Sequence, residues 1–232
     1  MKKIVTFGEI MLRLSSPEHE RLFQSPRLEA SFGGGEANVA ASLALFGIHA
    51  VFVTALSQNN IGQAAVRTLR GLGVDTSWIR YTKDRTGIYF LETGADQRPS
   101  LVIYDRADSS ASNIKPGDFP WEEIFKDADW FHVSGITPAL TADIAATCQE
   151  ALEVASKMKV KISIDLNFRK KLWNYGVEAP MVMGRLAAIA DILVANEEDI
   201  QLSLGIAPDP ALDDPKRDIE FYRVLSAKTR ER

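Results

Sequence analysis

Cysteine is almost absent from the chain: Cys148 is the only one in 232 residues, which excludes an internal disulfide framework. Histidine is scarce too. His19, His49 and His132 lie far apart, and none is spaced from Cys148 as a metal ligand would be, so no transition-metal site is expected. No apolar run is long enough for a signal peptide or a membrane span, and the opening MKKIVTFGEI is charged and strand-like. A cytoplasmic protein without membrane contact is the expectation. A dominant charge is lacking as well: 27 Lys and Arg stand against 31 Asp and Glu, with a pI near 5.5. No basic face for nucleic acid is implied, and an anionic ligand must be met by individual arginines. Gly-Lys-Ser and Gly-Lys-Thr do not occur, which removes the P-loop reading.

Apolar material is ample. Hydrophobic residues make up 46% of the chain, enough to bury the core of one α/β domain with a small appendage. Short β-branched or apolar runs alternate with helical patterns, the signature of a mostly parallel sheet joined by crossover helices. The expected strands are KIVTFG, AVFVTAL, DWFHVSG, KISIDLN and DILVANE. The expected helices run from Asn38 to Phe46, stopped by Gly47, from Gly62 to Leu72, stopped by Gly73, and from Thr141 to Met158.

Two segments break the alternation: RLSSPEHERLFQSPRLEAS, and TGIYFLETGADQRPSLVIYDRA, which reads as a β-hairpin around Gly-Ala-Asp. The expected organisation is an α/β core at 1–10, 31–81 and 111–232 carrying a β lid at 11–30 and 82–110. Such a hairpin exposes one face unless covered, so the lid is expected to close over a ligand and to pack against a second copy as a homodimer. GIAPDPALDDPKR reads as a surface loop before a last charged helix. His132, inside WFHVSG, reads as a satisfied core histidine.

In an open parallel sheet, ligands sit beyond the carboxyl ends of the strands. Those ends are polar here: Gly8-Glu9, Ser134-Gly135, Asp165-Leu166-Asn167 followed by Arg169, and Asn196-Glu197-Glu198-Asp199. Each alone could be a strand-to-helix cap; together they point to a site. The stretch FGGGEANVA runs Gly33, Gly34 and Gly35 into a helix start, where backbone can approach a ligand and the first N–H groups are free to donate. A dinucleotide fingerprint fails, because Asn38 stands where its third glycine belongs and the stretch precedes a core strand rather than following one. A small polar ligand held by backbone N–H groups and the Asn38 amide remains, with a plain tight turn as the alternative.

Taken in order, GGGEAN, GIYFLETG, VIYDRA, SIDLNFR and ANEED resemble the ribokinase-like (pfkB) sugar kinases, from Ile4 to about Leu204. Within that family the combination is most similar to the kinases of 2-keto-3-deoxygluconate. The resemblance implies a ribokinase-like α/β sheet flanked by helices with a small β lid, and ATP- and Mg2+-dependent phosphorylation of a sugar-acid hydroxyl. It places Gly33, Gly34, Gly35 and Asn38 against the sugar, with Tyr89, Tyr104 and Arg106 reaching from the lid. Arg106 matters most for identity, since a planar guanidinium grips a carboxylate with two prongs that a neutral sugar does not need.

By the same resemblance, Asn167 and Arg169 lie at the phosphate between sugar and nucleotide, Arg169 also touching the sugar and stabilising the transferring phosphoryl group. Asp165 orders that loop or joins a water network. Asn196 contacts phosphate and, with Asp199, a water-mediated Mg2+ ion; Asp199 stands where the family has the longer Glu. The family's Gly-Ala-Gly-Asp motif, whose Asp deprotonates the acceptor hydroxyl, does not occur. Its near match GLGVD ends in Asp75 after a helical run and reads as a helix C-cap leading into a strand, a decoy. The expectation is an N-terminal part of a kinase, its C-terminal part truncated, that keeps much of the sugar site and does not turn over alone. A fructose- or ribose-type neutral-sugar kinase and a non-catalytic sugar-binding or dimerising remnant are the alternatives.

Overall fold

The computed structural model describes residues 2–207 and 219–231, so most of the expected surface loop at 205–217 lies outside the described residues. In chain order the elements are β1 (Lys3–Phe7), β2 (Met11–Ser15), β3 (Glu29–Gly33), α1 (Gly35–Leu45), β4 (His49–Ser57), α2 (Asn60–Gly71), β5 (Ile79–Thr82), β6 (Ile88–Glu92) and β7 (Leu101–Asp105). Then follow α3 (Trp121–Ile124), β8 (Trp130–Ser134), α4 (Ala142–Lys157), β9 (Lys161–Asp165), α5 (Ala179–Ala187), β10 (Ile192–Val194), α6 (Glu197–Leu204) and α7 (Ile219–Arg230).

The main sheet has the order β10-β9-β8-β1-β4-β5, and every neighbouring pair in it is parallel. A parallel sheet is covered on both faces, so its strands are apolar throughout while their side chains alternate between two layers. β4 shows this directly. Its Val51, Val53 and Ala55 join a cluster with α3, α4 and α5, while Ala50, Phe52 and Leu56 join another with α1 and α2. The first cluster centres on an aromatic knot in which Phe125 meets Phe131 edge-on at 4.9 Å. No helix among the described residues is long and apolar enough to cross a membrane.

Four expected strands occupy their places, and DILVANE shortens to Ile192–Val194 because Asn196 leaves the ladder to cap α6, its Oδ1 accepting from the Asp199 N–H at 2.7 Å. A sixth strand, β5, lies after GLGVD, which reads as a helix C-cap leading into a strand, although IRYT is not among the five strands named from the sequence. IRYT is short and half-exposed at the sheet edge, and neither period nor apolar run marks it. α1 begins at Gly35, three residues before the expected Asn38, whose N–H already closes on the Gly34 carbonyl at 2.9 Å. α2 begins at Asn60 because the Asn59 side chain accepts from the N–H groups of Ile61 and Gly62.

The hairpin forms as read, β6 antiparallel to β7, with Asp96 at φ 52° in its turn. It belongs to a second sheet of order β3-β2-β6-β7. β3 runs from Glu29 into Gly33, so the division drawn between 30 and 31 falls inside a lid strand. For the same reason the glycine stretch does follow a strand, one of the lid sheet and not of the core. His132 donates or accepts at Ser163 Oγ, 2.9 Å away, and burial pushes its pKa down; it is the satisfied core histidine the sequence implied.

Asp75 sits after α2, where Leu72 is the C-cap and Gly73 has φ 85°. One carboxylate oxygen accepts from Ser77 N–H at 2.9 Å and Ser77 Oγ at 2.6 Å, and the other meets His49 Nε2 at 3.0 Å. Burial works against its charge, but the hydrogen bonds from Ser77 and His49 prevail and hold the carboxyl below its usual value of 3.8. A carboxyl lowered on folding stabilises above its unfolded pKa, and that contribution is lost as pH falls through the folded value. Asp75→Asn is therefore expected to cost less than about 1 kcal/mol at pH 7, given the pair's exposure. Urea unfolding should show the gap closing as pH falls below the usual carboxylate range; a gap that persists there would assign the loss to something other than charge.

Candidate functional site

A cavity of about 210 Å3 lies between the lid sheet and the start of α1. Gly33, Gly34, Gly35, Glu36 and Asn38 form its wall on the core side, Tyr89, Val102, Tyr104 and Arg106 come from the lid hairpin, and Glu9, Met11 and Ile136 close the sides. Seven residues singled out from the sequence meet there: Gly33, Gly34, Gly35, Asn38, Tyr89, Tyr104 and Arg106. Local structure explains how. Tyr89 and Tyr104 are direct partners in the antiparallel register of β6 and β7, so they share a face, with ring centroids 5.8 Å apart. Arg106 follows β7 and sets its guanidinium carbon 5.5 Å from the centre of the Tyr104 ring, a cation–π distance. α1 begins with extended Gly34 as its N-cap and no side-chain cap, which leaves first-turn N–H groups to other partners.

The glycine run answers to the chain's own backbone before any ligand. A β-carbon on Gly34 would overlap the carbonyl oxygen of Glu9, one on Gly33 would come to 3.0 Å from the Tyr89 hydroxyl, and one on Gly35 would meet nothing nearer than Ser134 Oγ at 3.8 Å. The close visitor expected at these glycines was the sugar; at Gly34 it is the connection between β1 and β2. All three glycines line the cavity.

Two buried carboxylates at the cavity received no individual role from the sequence, although Glu9 was among the polar strand ends that pointed to a site. Glu36 lies 2% exposed, and its Oε1 accepts from Ser134 N–H at 2.9 Å, Ser134 Oγ at 2.7 Å and Thr137 Oγ1 at 2.8 Å. It ties the start of α1 to the end of β8. Glu9 pairs with the Arg106 guanidinium and accepts from Ser109 Oγ at 3.0 Å. Burial pushes the Glu9 pKa up; Arg106 and Ser109 push it back and Glu36 adds to the rise, so the carboxyl stays above its usual value. Arg106 Nε is buried with no hydrogen-bond partner among the described residues. The signal for both acids was available: a carboxylate directly after a β-strand or a glycine run, inside otherwise apolar sequence.

The remaining predicted residues do not line this cavity. Asn167 has φ 35° in the loop after β9, and the following Phe168 N–H donates to Asp199 Oδ1 at 2.9 Å. Arg169 is exposed and donates to the neighbouring Phe168 carbonyl at 3.0 Å, away from the substrate contact the resemblance implied. Asn196 spends its Oδ1 as the cap of α6. Burial and the nearby charge of Asp199 raise the Asp165 pKa, against His132 and Arg169. These residues form a second group that joins the β9 loop to the start of α6. Among the described residues, no cluster of three or more His, Cys, Asp or Glu could hold a metal ion. A larger cavity of about 590 Å3 runs along β10, α6 and α7; it includes Asn196 and none of the lid residues.

The two glycines make a matched pair of tests. Gly34→Ala is expected to destabilise the chain by about 1–3 kcal/mol or more, since the overlapping atom is backbone. Gly35→Ala, at an exposed first helical position, should change stability by no more than about 1 kcal/mol and in the stabilising direction. Urea titration of both variants checks the order; equal losses would contradict it.

A model of the pfkB family carbohydrate kinases matches residues 1–217. A 2-dehydro-3-deoxygalactonokinase from Haloferax volcanii is 38% identical over 226 residues, covering 96% of this chain and 70% of that protein. A 2-dehydro-3-deoxygluconokinase from Bacillus subtilis is 29% identical, with 81% of this chain and 58% of that protein covered. The crystal structure of a 2-dehydro-3-deoxygluconokinase from Thermotoga maritima superimposes with a TM-score of 0.91 at 46% identity, over 99% of this chain and 70% of that one. The parallel sheet, the β lid and the cavity between them are thus accompanied by a sequence match along nearly the whole chain, which belongs to the pfkB family of carbohydrate kinases.

Proposed function

We propose that the chain is the sugar-acid-recognising part of a kinase for 2-keto-3-deoxygluconate, the compound also called 2-dehydro-3-deoxygluconate. Arg106 carries the reading. Among the described residues it is the one Lys or Arg lining the cavity, and its buried Nε has no hydrogen-bond partner there, which suits the second prong of a carboxylate contact. Tyr89, Tyr104 and Asn38 supply the hydroxyls and the amide that polyol groups need. The names of the Bacillus and Thermotoga relatives support the same class of substrate. The exposed strand β7, where Leu101, Ile103 and Tyr104 are each about half accessible, is the surface through which a second copy would pair.

ATP, present in a solved fructokinase from Xylella fastidiosa at 25% identity, would supply the phosphoryl group, with Mg2+ neutralising its charge. Mg2+ keeps most of its water and takes one or two carboxylates, and Asp199 fits an outer role with the oxygen it does not commit to Phe168. Asn196 keeps its amide NH2 for phosphate while its oxygen caps α6. Arg169, exposed on its loop, can swing a positive charge to that phosphate. The family's Gly-Ala-Gly-Asp motif does not occur in the sequence, and of the two acids at the cavity Glu36 accepts three hydrogen bonds on Oε1 while Glu9 is held by Arg106 and Ser109.

ADP release with Mg-ATP and 2-keto-3-deoxygluconate, run beside fructose and ribose, is expected to be nil with this polypeptide. Release confined to the sugar acid would place a base within these residues. In calorimetry the sugar acid should bind better than fructose, and Arg106→Ala should weaken only the sugar acid, by about tenfold to a hundredfold for a charged hydrogen bond. Unchanged selectivity would overturn the sugar-acid assignment.

A further inference from the structure

We propose that Glu9 is a positioning residue that holds the Arg106 guanidinium in place and thereby sets the preference for sugar acids over neutral sugars. The inference rests on the sugar-acid reading of Arg106 above. Glu9 follows β1 on the core side of the cavity, whereas Arg106 follows β7 of the lid, so their ion pair spans the two sheets. The Glu9 side chain is 3% exposed and that of Arg106 is 12% exposed.

A buried ion pair is a poor source of stability, because desolvating both charges offsets most of their attraction. Its geometry is better explained by what it orders. Glu9 is fixed at three points. Its carbonyl abuts Gly34, with no room for a β-carbon between them. Its Oε1 accepts from Ser109 Oγ at 3.0 Å, and that hydroxyl is in turn held by Ser112 N–H at 3.2 Å. Its Oε2 accepts from Arg106 Nη2. Gly87 leaves the space this carboxylate fills, since a β-carbon there would lie 2.6 Å from Oε1. Long arginine side chains otherwise lose much rotamer entropy when a ligand fixes them. Here one Nη2 hydrogen is already engaged on a rigid acceptor, the guanidinium lies against Tyr104, and Nε has no partner among the described residues. The ordering cost of gripping a carboxylate is met before the ligand arrives. A neutral sugar, which does not use the fork, gains nothing from it.

The test compares the full chain with Glu9→Gln, Glu9→Asp and Glu9→Ala. Two readouts are used: hydrogen exchange at Arg106 Nε–H by NMR, the signal identified by its loss in Arg106→Lys, and calorimetric binding of 2-keto-3-deoxygluconate and fructose. Glu9→Gln keeps an oxygen at the same reach and is expected to keep the slowly exchanging proton and to bind the sugar acid within about threefold of the unmodified chain. Glu9→Asp and Glu9→Ala should lose the slow exchange and bind the sugar acid at least about tenfold more weakly, with fructose changed by less than about twofold. If Glu9→Ala does not fold, Glu9→Asp carries the comparison. Equal weakening of both sugars, an intact Nε–H and affinity in Glu9→Asp, or tighter sugar-acid binding by Glu9→Gln would each overturn the inference. Failure of the sugar-acid reading appears elsewhere, as an Arg106→Ala variant with unaltered selectivity, and the exchange of Nε–H then decides the role of Glu9 by itself.

Discussion

The turn after β1 presses the Glu9 carbonyl against Gly34 with no space for a side chain. Much else follows from that contact. It brings the end of a central core strand, the end of a lid strand and the start of α1 to one point, which is where the cavity opens. It also places the Glu9 carboxylate under the lid, where Arg106 reaches it, and leaves the adjoining Glu36 to tie α1 to the end of β8 through Ser134 and Thr137. Two acids buried at one cavity are costly in isolation. Each is offset here by several donors, and the site is correspondingly rigid on its core side, while β7 on the lid side remains exposed.

Two sheets with different pairings meet at this point, and they divide the labour. The parallel sheet is buried on both faces and holds strand ends in register; the lid sheet mixes antiparallel and parallel pairs and carries the aromatic and cationic side chains on one hairpin. In the proposed reading, recognition falls to the less buried element against a fixed wall. The residues proposed to meet phosphate stand apart, tied by the Phe168–Asp199 and Asn196–Asp199 hydrogen bonds. On the proposed reading the sugar contacts all fall within this chain, which spans 70% of the Thermotoga kinase.

The strands of the core were legible because a buried parallel strand is an unbroken apolar run, as in AVFVTAL. The edge strand IRYT was legible only as a strand to follow the C-cap at GLGVD, since at a sheet edge nothing forces either period or apolarity on four residues. Helix ends were legible at Gly47 and Gly73, where φ is positive, and less so at helix starts, where Asn59 caps two residues ahead of the apolar pattern. At the site, the lid residues stood out by type. The reason for Gly34 did not, because it lies in a backbone contact with Glu9, far back in the sequence, and no local pattern reports such a contact. Glu9 and Glu36 were visible as letters but not as partners, for the same reason.

The most direct measurement is a crystal structure of the chain with 2-keto-3-deoxygluconate bound. The account predicts the sugar acid in the cavity between Gly35, Tyr89 and Tyr104, with its carboxylate within hydrogen-bond distance of Arg106 and Glu9 still paired to the same guanidinium. A sugar bound elsewhere, or one whose carboxylate points away from Arg106, would contradict it.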